Sequence, residues 1–272
     1  MKRKLAICVP VWNCLAYTKG FVNSIKTRYP FDLIVHANGC TDGTLEWLSN
    51  PKNFEGLKNL ESVRVSFSET NLGCAKGANK TYRKAYETPD VTHIIYANND
   101  ILLRPDTLDN LVWAWDNRDP RMKIISGEGF HVETFGDELK TLKAFSSHNI
   151  YPLKLRFGAC YCLFCWDKKA IEDIGLLDEN FEFAYFDDND HAETILEKGF
   201  LLSHFSGAPF FHYGSMSMKQ NHVDNTDSFI RNKNYYFRKH NVLEIDPCRR
   251  FPEAVKAVED LSEKMKGVTI DE

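Results

Sequence analysis

Asn98-Asn99-Asp100 sets two amides and one carboxylate at the end of an apolar run, His93-Ile94-Ile95-Tyr96-Ala97. A carboxylate flanked by amides suits a hard divalent cation that also holds a diphosphate, because such a cation takes oxygen ligands and leaves positions for phosphate. The same three residues also read as a polar turn with an Asx cap before a helix. A second group of acids, Asp187-Asp188-Asn189-Asp190, follows the aromatic residues Phe181, Phe183, Tyr185 and Phe186. Carboxylates in the first turn of a helix are favoured by capping and by the dipole. That preference does not account for so many acids gathered behind aromatics.

These groups need elements to position them. His93–Ala97 is about one buried strand long, and Pro105 precedes helical spacing at Leu108, Leu111, Val112 and Trp115. In open α/β sheets ligands sit at the C-terminal ends of strands, which is where Asn98-Asn99-Asp100 falls. Upstream, strands are expected over residues 4–9, 31–37 and 63–67, with helices over 17–27 and 75–86. Strands alternating with helices predict an α/β fold with a mostly parallel central sheet, right-handed crossovers and flanking helices. Downstream, strands are expected over 123–125, 139–145, 155–166, 201–205 and 209–213. Helices are expected over 168–174 and 192–198, with helical geometry from about 187. A polar, helical tail follows. Absence of repeats or a low-complexity linker predicts one compact domain over 1–220, with halves 1–115 and 116–220, and a tail over 221–272.

The chain has 272 residues, 43% of them hydrophobic and 26% charged, an ordinary globular balance. A net charge of −4 argues against broad nonspecific nucleic-acid binding. The start, MKRK followed by LAICVPVWNCLA, imitates a signal peptide. Pro10, Trp12 and Asn13 interrupt its apolar region and no small-residue cleavage site follows, so a first strand ending at Pro10 is expected instead. No stretch reaches the roughly 18 apolar residues of a membrane span. A soluble protein, or a peripheral membrane binder, is expected. Most of the eight cysteines lie in apolar runs, as buried thiols do in a reducing compartment, which predicts a cytoplasmic location. Neither G-x-G-x-x-G after a strand nor G-x-x-x-x-G-K-[ST] is present, which excludes the usual dinucleotide oxidoreductases and P-loop enzymes.

Several stretches together resemble a known family. They are Val9-Pro10-Val11-Trp12-Asn13, the loop NGCTDGT at 38–44, Asn71-Leu72-Gly73 with Ala78-Asn79, and Asn98-Asn99-Asp100 with Pro105. Further on come GACYCLFCWDKKAIEDIGLLDENF at 158–181, YFDDNDHAETILEKGF at 185–200, and His212-Tyr213-Gly214-Ser215. In order and spacing they are similar to the family 2 glycosyltransferases of GT-A fold, especially the rhamnosyltransferase-like branch. The resemblance covers roughly residues 4–240. It implies a nucleoside-diphosphate sugar donor, Mn²⁺ or Mg²⁺, and inversion at the anomeric carbon. The chemistry agrees: a departing sugar diphosphate needs positive charge, which a metal supplies as Lewis acid and template.

The resemblance also implies roles. Asn98-Asn99-Asp100 matches the DxD motif with one carboxylate in place of two; Asp100 would be a metal ligand and Asn98 would lie nearer the nucleotide sugar. His212 matches a histidine that completes the metal site in many relatives, and reads equally as a core histidine after Phe210-Phe211. Asp187 and Asp188 align with the catalytic acidic pair; Asp188 is the chosen general base and Asp190 the alternative. Pro10, Val11 and Asn13 would line the nucleotide base, with Asn38, Asn71, Gly73 and Asn99 nearby. Ala37 stands where many relatives carry an aspartate for that base, which weakens any claim for uridine over thymidine or guanosine. Asp42 reads as a helix cap, and Lys76 as an exposed helix lysine.

Cys162 and Cys165 have C-x₂-C spacing, but no second ligand pair follows, and packing is the expected role of Cys160, Cys162 and Cys165 rather than zinc. The basic, aromatic stretch 231–240 has a composition that could serve anionic lipid or nucleic acid; it also resembles the amphipathic tail helix of this glycosyltransferase branch, and packing on the core is the expected role. The acceptor is open among glycan, lipid-linked sugar, protein and modified nucleobase, as is oligomeric state. A second reading is a non-catalytic nucleotide-sugar or glycan-binding protein on the same fold. A nucleotidyltransferase is a weaker third, because residues 9–17 lack a glycine- and base-rich phosphate loop.

Overall fold

Apolar runs become strands in a computed structural model that describes residues 2–132 and 153–270. In chain order the first half gives β1 (Leu5–Val11), α1 (Leu15–Ser24), β2 (Phe31–Asn38), α2 (Thr44–Leu48), β3 (Leu60–Ser68), α3 (Cys74–Tyr86), β4 (His93–Ala97), β5 (Ile101–Leu103) and α4 (Thr107–Asp116). The second half gives β6 (Met122–His131), β7 (Leu155–Phe157), β8 (Leu163–Trp166), α5 (Lys168–Ile174), α6 (Asp187–Glu197), β9 (Leu201–His212), α7 (Met216–Gln220), α8 (Thr226–Lys239), α9 (Pro247–Arg250) and α10 (Pro252–Lys264). The expected strand over 139–145 lies outside the described residues.

One nine-stranded sheet runs β3-β2-β1-β4-β8-β6-β9-β5, with β7 also paired to β9. The parallel expectation holds for β3, β2, β1 and β4. Beyond β4 the sheet is mixed, because β8 runs antiparallel to both β4 and β6. β1, β2 and β4 are almost wholly buried, as expected of strands covered by helices on both faces.

The expected strands differ in two places. The single strand over 155–166 divides into β7 and β8, with Gly158 at φ 100° breaking the extended path. The two strands over 201–205 and 209–213 are one, β9, whose pairing with β6 jumps from Phe205 to Pro209. Residues 206–208 are bulged out of that ladder, so one strand reads as two in the sequence. α6 starts at Asp187, in line with the helical geometry expected from about 187, and takes in the whole acidic run.

Aromatic packing fixes the sheet to its helices. Tyr82 of α3 meets Trp166 of β8 edge-on at 4.7 Å between ring centroids. The tail is part of this packing: Val258 of α10 is fully buried in the main core, and Tyr236 of α8 packs with Phe181 and Phe186. Leu155 of β7 donates its N–H to Ser262 Oγ at 3.0 Å.

A close backbone approach sets the first loops. Gly39 has φ +75°, and a Cβ there would lie 2.4 Å from Asn71 N and 2.5 Å from Thr70 C. Gly39→Ala therefore forces the 70–71 backbone aside as well as adopting an unfavourable φ. It is expected to destabilise the fold by about 2 kcal/mol or more, read from urea unfolding.

Candidate active site

A cavity of about 410 Å³ opens where β1, β2 and β4 end. Of the residues singled out in the sequence, Pro10, Val11, Asn38, Asn71, Gly73, Asn98, Asn99, Asp100, Asp187, Asp188 and His212 line it. Asn13 and Asp190 do not.

The carboxylate and the histidine meet through backbone register. After Ala97 the chain leaves the β1–β4–β8 ladder, and at Ile101 it joins β9, with Ile101 opposite His212. Asp100 lies between these two ladders, and its carbonyl accepts the Tyr213 N–H at 3.1 Å. Its Oδ2 accepts the Met216 N–H at 3.1 Å, and its Oδ1 stands 3.3 Å from His212 Nε2. That Nε2 is buried with no hydrogen-bond partner among the described residues. On the other side of the ring, Nδ1 is 3.5 Å from Cys162 Sγ. Burial lowers the affinity of His212 for a proton, but the Asp100 carboxylate outweighs it and the pKa is raised. An orphaned ring nitrogen beside a carboxylate oxygen at the cavity wall fits a divalent cation, and Asp100 and His212 are the residues that would hold it.

The amides divide into scaffold and surface. Asn38 donates to Asn71 Oδ1 and Gly73 O, and accepts from Leu72 N and Ser68 Oγ. Asn71 Oδ1 also accepts the Gly73 N–H. Asn99 donates to Asn13 O and Thr18 Oγ1. These three therefore shape the loops at the cavity. The Asn98 side chain has no hydrogen bond among the described residues, and it faces the cavity. Asn13, expected at the nucleotide base, instead ties loops together: its Oδ1 accepts from Thr41 N and its Nδ2 donates to Asn221 Oδ1. Asp42 caps two helices, accepting from Leu15 N and Thr44 N. Lys76 is exposed on α3.

α6 sends its acids in two directions. Asp187 and Asp188, at its first turn, line the cavity. Burial and the neighbouring Asp188 charge push Asp187 up to about 7. Burial also raises Asp188, opposed by the Asn189 N–H that it accepts at 2.9 Å. Two close carboxylates do not both ionise readily, so the pair holds a proton more tightly than an isolated carboxylate does. Asp190 points away from the cavity, its Oδ1 2.8 Å from Lys239 and 2.9 Å from His240. His191 anchors the helix: Nε2–H donates to Gly175 O, and Nδ1 accepts from Tyr161 OH. Burial lowers its pKa to about 4, which keeps the ring neutral. Glu193, Glu197 and His240 form a compact group able in principle to ligate a metal. Arg250 and the Tyr236 hydroxyl already engage Glu193, so the group serves as a junction between α6 and the tail.

Residues 6–194 match the family model described as glycosyl transferase family 2. The chain belongs to that family. No curated protein matches the sequence. Among solved structures, Staphylococcus aureus TarS 1–349 in complex with UDP is similar at 15% identity and TM-score 0.59, over 86% of this chain and 64% of that one. Longer TarS is similar at TM-score 0.58, but this chain spans only 39% of it. Mannosyltransferase PcManGT from Pyrobaculum calidifontis, in complex with GDP-Man and Mn²⁺, is similar at 17% identity and TM-score 0.58, over 97% of this chain and 72% of that one. At such identities the likeness establishes the GT-A fold.

In this family member the cavity also has walls that the sequence did not single out as binding residues: Trp12, Tyr161, Phe183, Tyr185, Ser217 and Met218. Trp12 carried a signal, an exposed-type break after a buried strand. Ser217 and Met218 carried none, since a short helix after His212 reads as surface. Cys160 and Cys162 line the cavity rather than packing in a strand, and Cys165 alone of the three is buried in β8. Cys162 donates to Cys160 and draws its pKa down to about 7, with help from His212, while Cys162 is raised.

The acids give two expectations. Folding raises the Asp187 pKa, so the folded state binds this proton more tightly than the unfolded state. Stability from it is therefore lost as pH rises from about 4 through about 7. In metal-free protein, Asp187→Asn should melt higher than wild type above pH 7, with the gap closing toward pH 4. A gap independent of pH contradicts the assignment. Asp190→Asn, by contrast, strips a buried partner from Lys239 and His240 and should cost about 3 kcal/mol in chemical unfolding, with nucleotide affinity little changed.

Proposed function

We propose that this chain is an inverting glycosyltransferase of the rhamnosyltransferase-like branch, moving a hexosyl or pentosyl unit from a nucleoside-diphosphate sugar to an acceptor hydroxyl. The observation that carries the reading is one cavity holding both an Asp100–His212 pair and an Asp187–Asp188 pair. Complexes of similar folds with UDP, and with GDP-Man and Mn²⁺, support a nucleotide-sugar donor and a divalent metal, Mn²⁺ or Mg²⁺.

In this reading, residues 1–115 bind the donor, 116–220 face the acceptor, and 221–272 form the tail. Pro10, Val11 and Asn98 border the nucleotide, on loops shaped by Asn38, Asn71, Gly73 and Asn99. Asp100 and His212 hold the ion, which when bound supplies positive charge against the departing diphosphate. Asp188 takes the proton of the acceptor hydroxyl as its oxygen attacks the anomeric carbon from the face opposite the leaving group. Burial raises both acids of the pair, which suits Asp188 to taking a proton near working pH. The acceptor is a glycan, lipid-linked sugar, protein or modified nucleobase. Eight free thiols support a reducing, cytoplasmic setting. No helix among the described residues is long and apolar enough to cross a membrane.

The test is a panel of uridine, thymidine and guanosine diphosphate sugars, screened by thermal shift with Mn²⁺ and then for nucleotide release. Asp188→Asn should lower turnover by about 10²–10⁴-fold with donor affinity retained. Asp100→Ala should weaken metal-dependent donor binding instead. Release from no donor sinks sugar transfer; tight donor binding without turnover would favour the non-catalytic binding protein. Full activity in both variants would remove the roles given to these residues.

A further inference from the structure

The loop over residues 181–186 leads into the Asp187–Asp188 pair, and its backbone is strained. Phe183, Tyr185 and Phe186 have φ values of 58°, 75° and 69°, in the left-handed region that bulky L-residues avoid. Such a run persists only where its surroundings over-determine it.

One side chain supplies most of that determination. Asn232, on α8 in the tail, is 2% exposed. Its Oδ1 accepts the Glu182 N–H at 3.0 Å, and its Nδ2 donates to Glu182 O at 2.7 Å, Ala184 O at 3.0 Å and Tyr185 O at 3.1 Å. The remaining carbonyl of this stretch, Phe183 O, accepts the Cys74 N–H at 2.6 Å. On that side the loop presses on Gly73, where a Cβ would come within 2.8 Å of Phe183 N, and Trp12 meets the Phe183 ring edge-on at 5.5 Å. The loop is thus clipped between the donor-side turn at Gly73 and a single tail amide. After the last carbonyl that Asn232 holds comes Phe186, and then the pair.

We propose that Asn232 is a positioning residue, which holds the 182–185 backbone in its strained form and so aims Asp187 and Asp188 into the cavity. The catalytic part of this inference rests on the reading of Asp188 as general base. An amide is needed because the loop offers one N–H and three carbonyls to it, and only a group with both an acceptor oxygen and an NH₂ answers them. Loss of the amide donors frees residues 183–186 to relax toward ordinary φ values, which turns the chain just ahead of the pair. A shift of about 1 Å in a reacting group is enough to cost roughly 10²-fold in rate.

Asn232→Asp keeps the size of the side chain and removes both donors. Compared with wild type, it is expected to lower kcat by about 100-fold while donor Kd stays within about 3-fold. Chymotrypsin should newly cleave the variant after Phe183, Tyr185 or Phe186, mapped by mass spectrometry under conditions where wild type resists. Full kcat with an uncut loop overturns the proposal. So does a parallel fall in kcat, donor affinity and melting temperature, which marks a role in folding alone. Should Asn232→Asp not fold, Asn232→Ser, with one donor and no charge, is read by the same split and the same cleavage. Wild-type protein that releases nucleotide from no donor counts against sugar transfer, whereas the cleavage comparison decides the clamp without reference to turnover.

Discussion

Between Ala97 and Ile101 the chain leaves one hydrogen-bonded ladder and joins another, and the rest of the cavity depends on that change. On one side β4 is locked between β1 and β8. On the other, β5 pairs with the end of β9. Backbone hydrogen bonds fix strand separation within narrow limits, so the short span caught between two ladders has little freedom. Asp100 is the last residue of that short span, directly before Ile101 joins β9. Its carboxylate meets His212 because Ile101 is registered opposite His212. A one-residue slip would turn the His212 side chain to the other face.

The same economy of position governs the acids of α6. Asp187, Asp188 and Asp190 share a helical turn, yet helical rotation gives them different neighbours. Asp190 and Glu193 are engaged by cations and a hydroxyl from the tail. Among the described residues no cation pairs with Asp187 or Asp188, and burial works against their charge. Carboxylates left buried and unpaired are costly to a fold. Two of them side by side, open to a cavity among aromatic rings, have the perturbed setting of a candidate functional site.

The tail belongs to this arrangement. α8 packs Tyr236 against Phe181 and Phe186, presents Lys239 and His240 to Asp190, and places Asn232 under the strained loop. α10 closes on the far edge of the sheet through Val258 and Ser262. A polar, basic and aromatic stretch that could have served a membrane or a nucleic acid is thereby turned inward over much of its apolar surface.

Local pattern was enough for most elements. Apolar runs with β-rich composition located β1, β2 and β4, and helical spacing located α3, α4 and α5, because these signals depend on neighbours in the chain. The same pattern placed Asn98-Asn99-Asp100 and the acidic run at element ends, where side chains are free to meet a ligand. It did not locate β5, since a three-residue strand is defined by its partner β9 rather than by its own residues. Nor did it separate Asp190 from Asp188, or Asn13 from Asn98, because those pairs differ in what faces them and not in residue type. The sequence by itself determined the α/β layout, the strand ends and the chemical kinds of group gathered there. Only the tertiary structure decided which of those groups remain available to a ligand, because hydrogen bonds and ion pairs to residues as distant as Asn221, Asn232 and Lys239 engage the others.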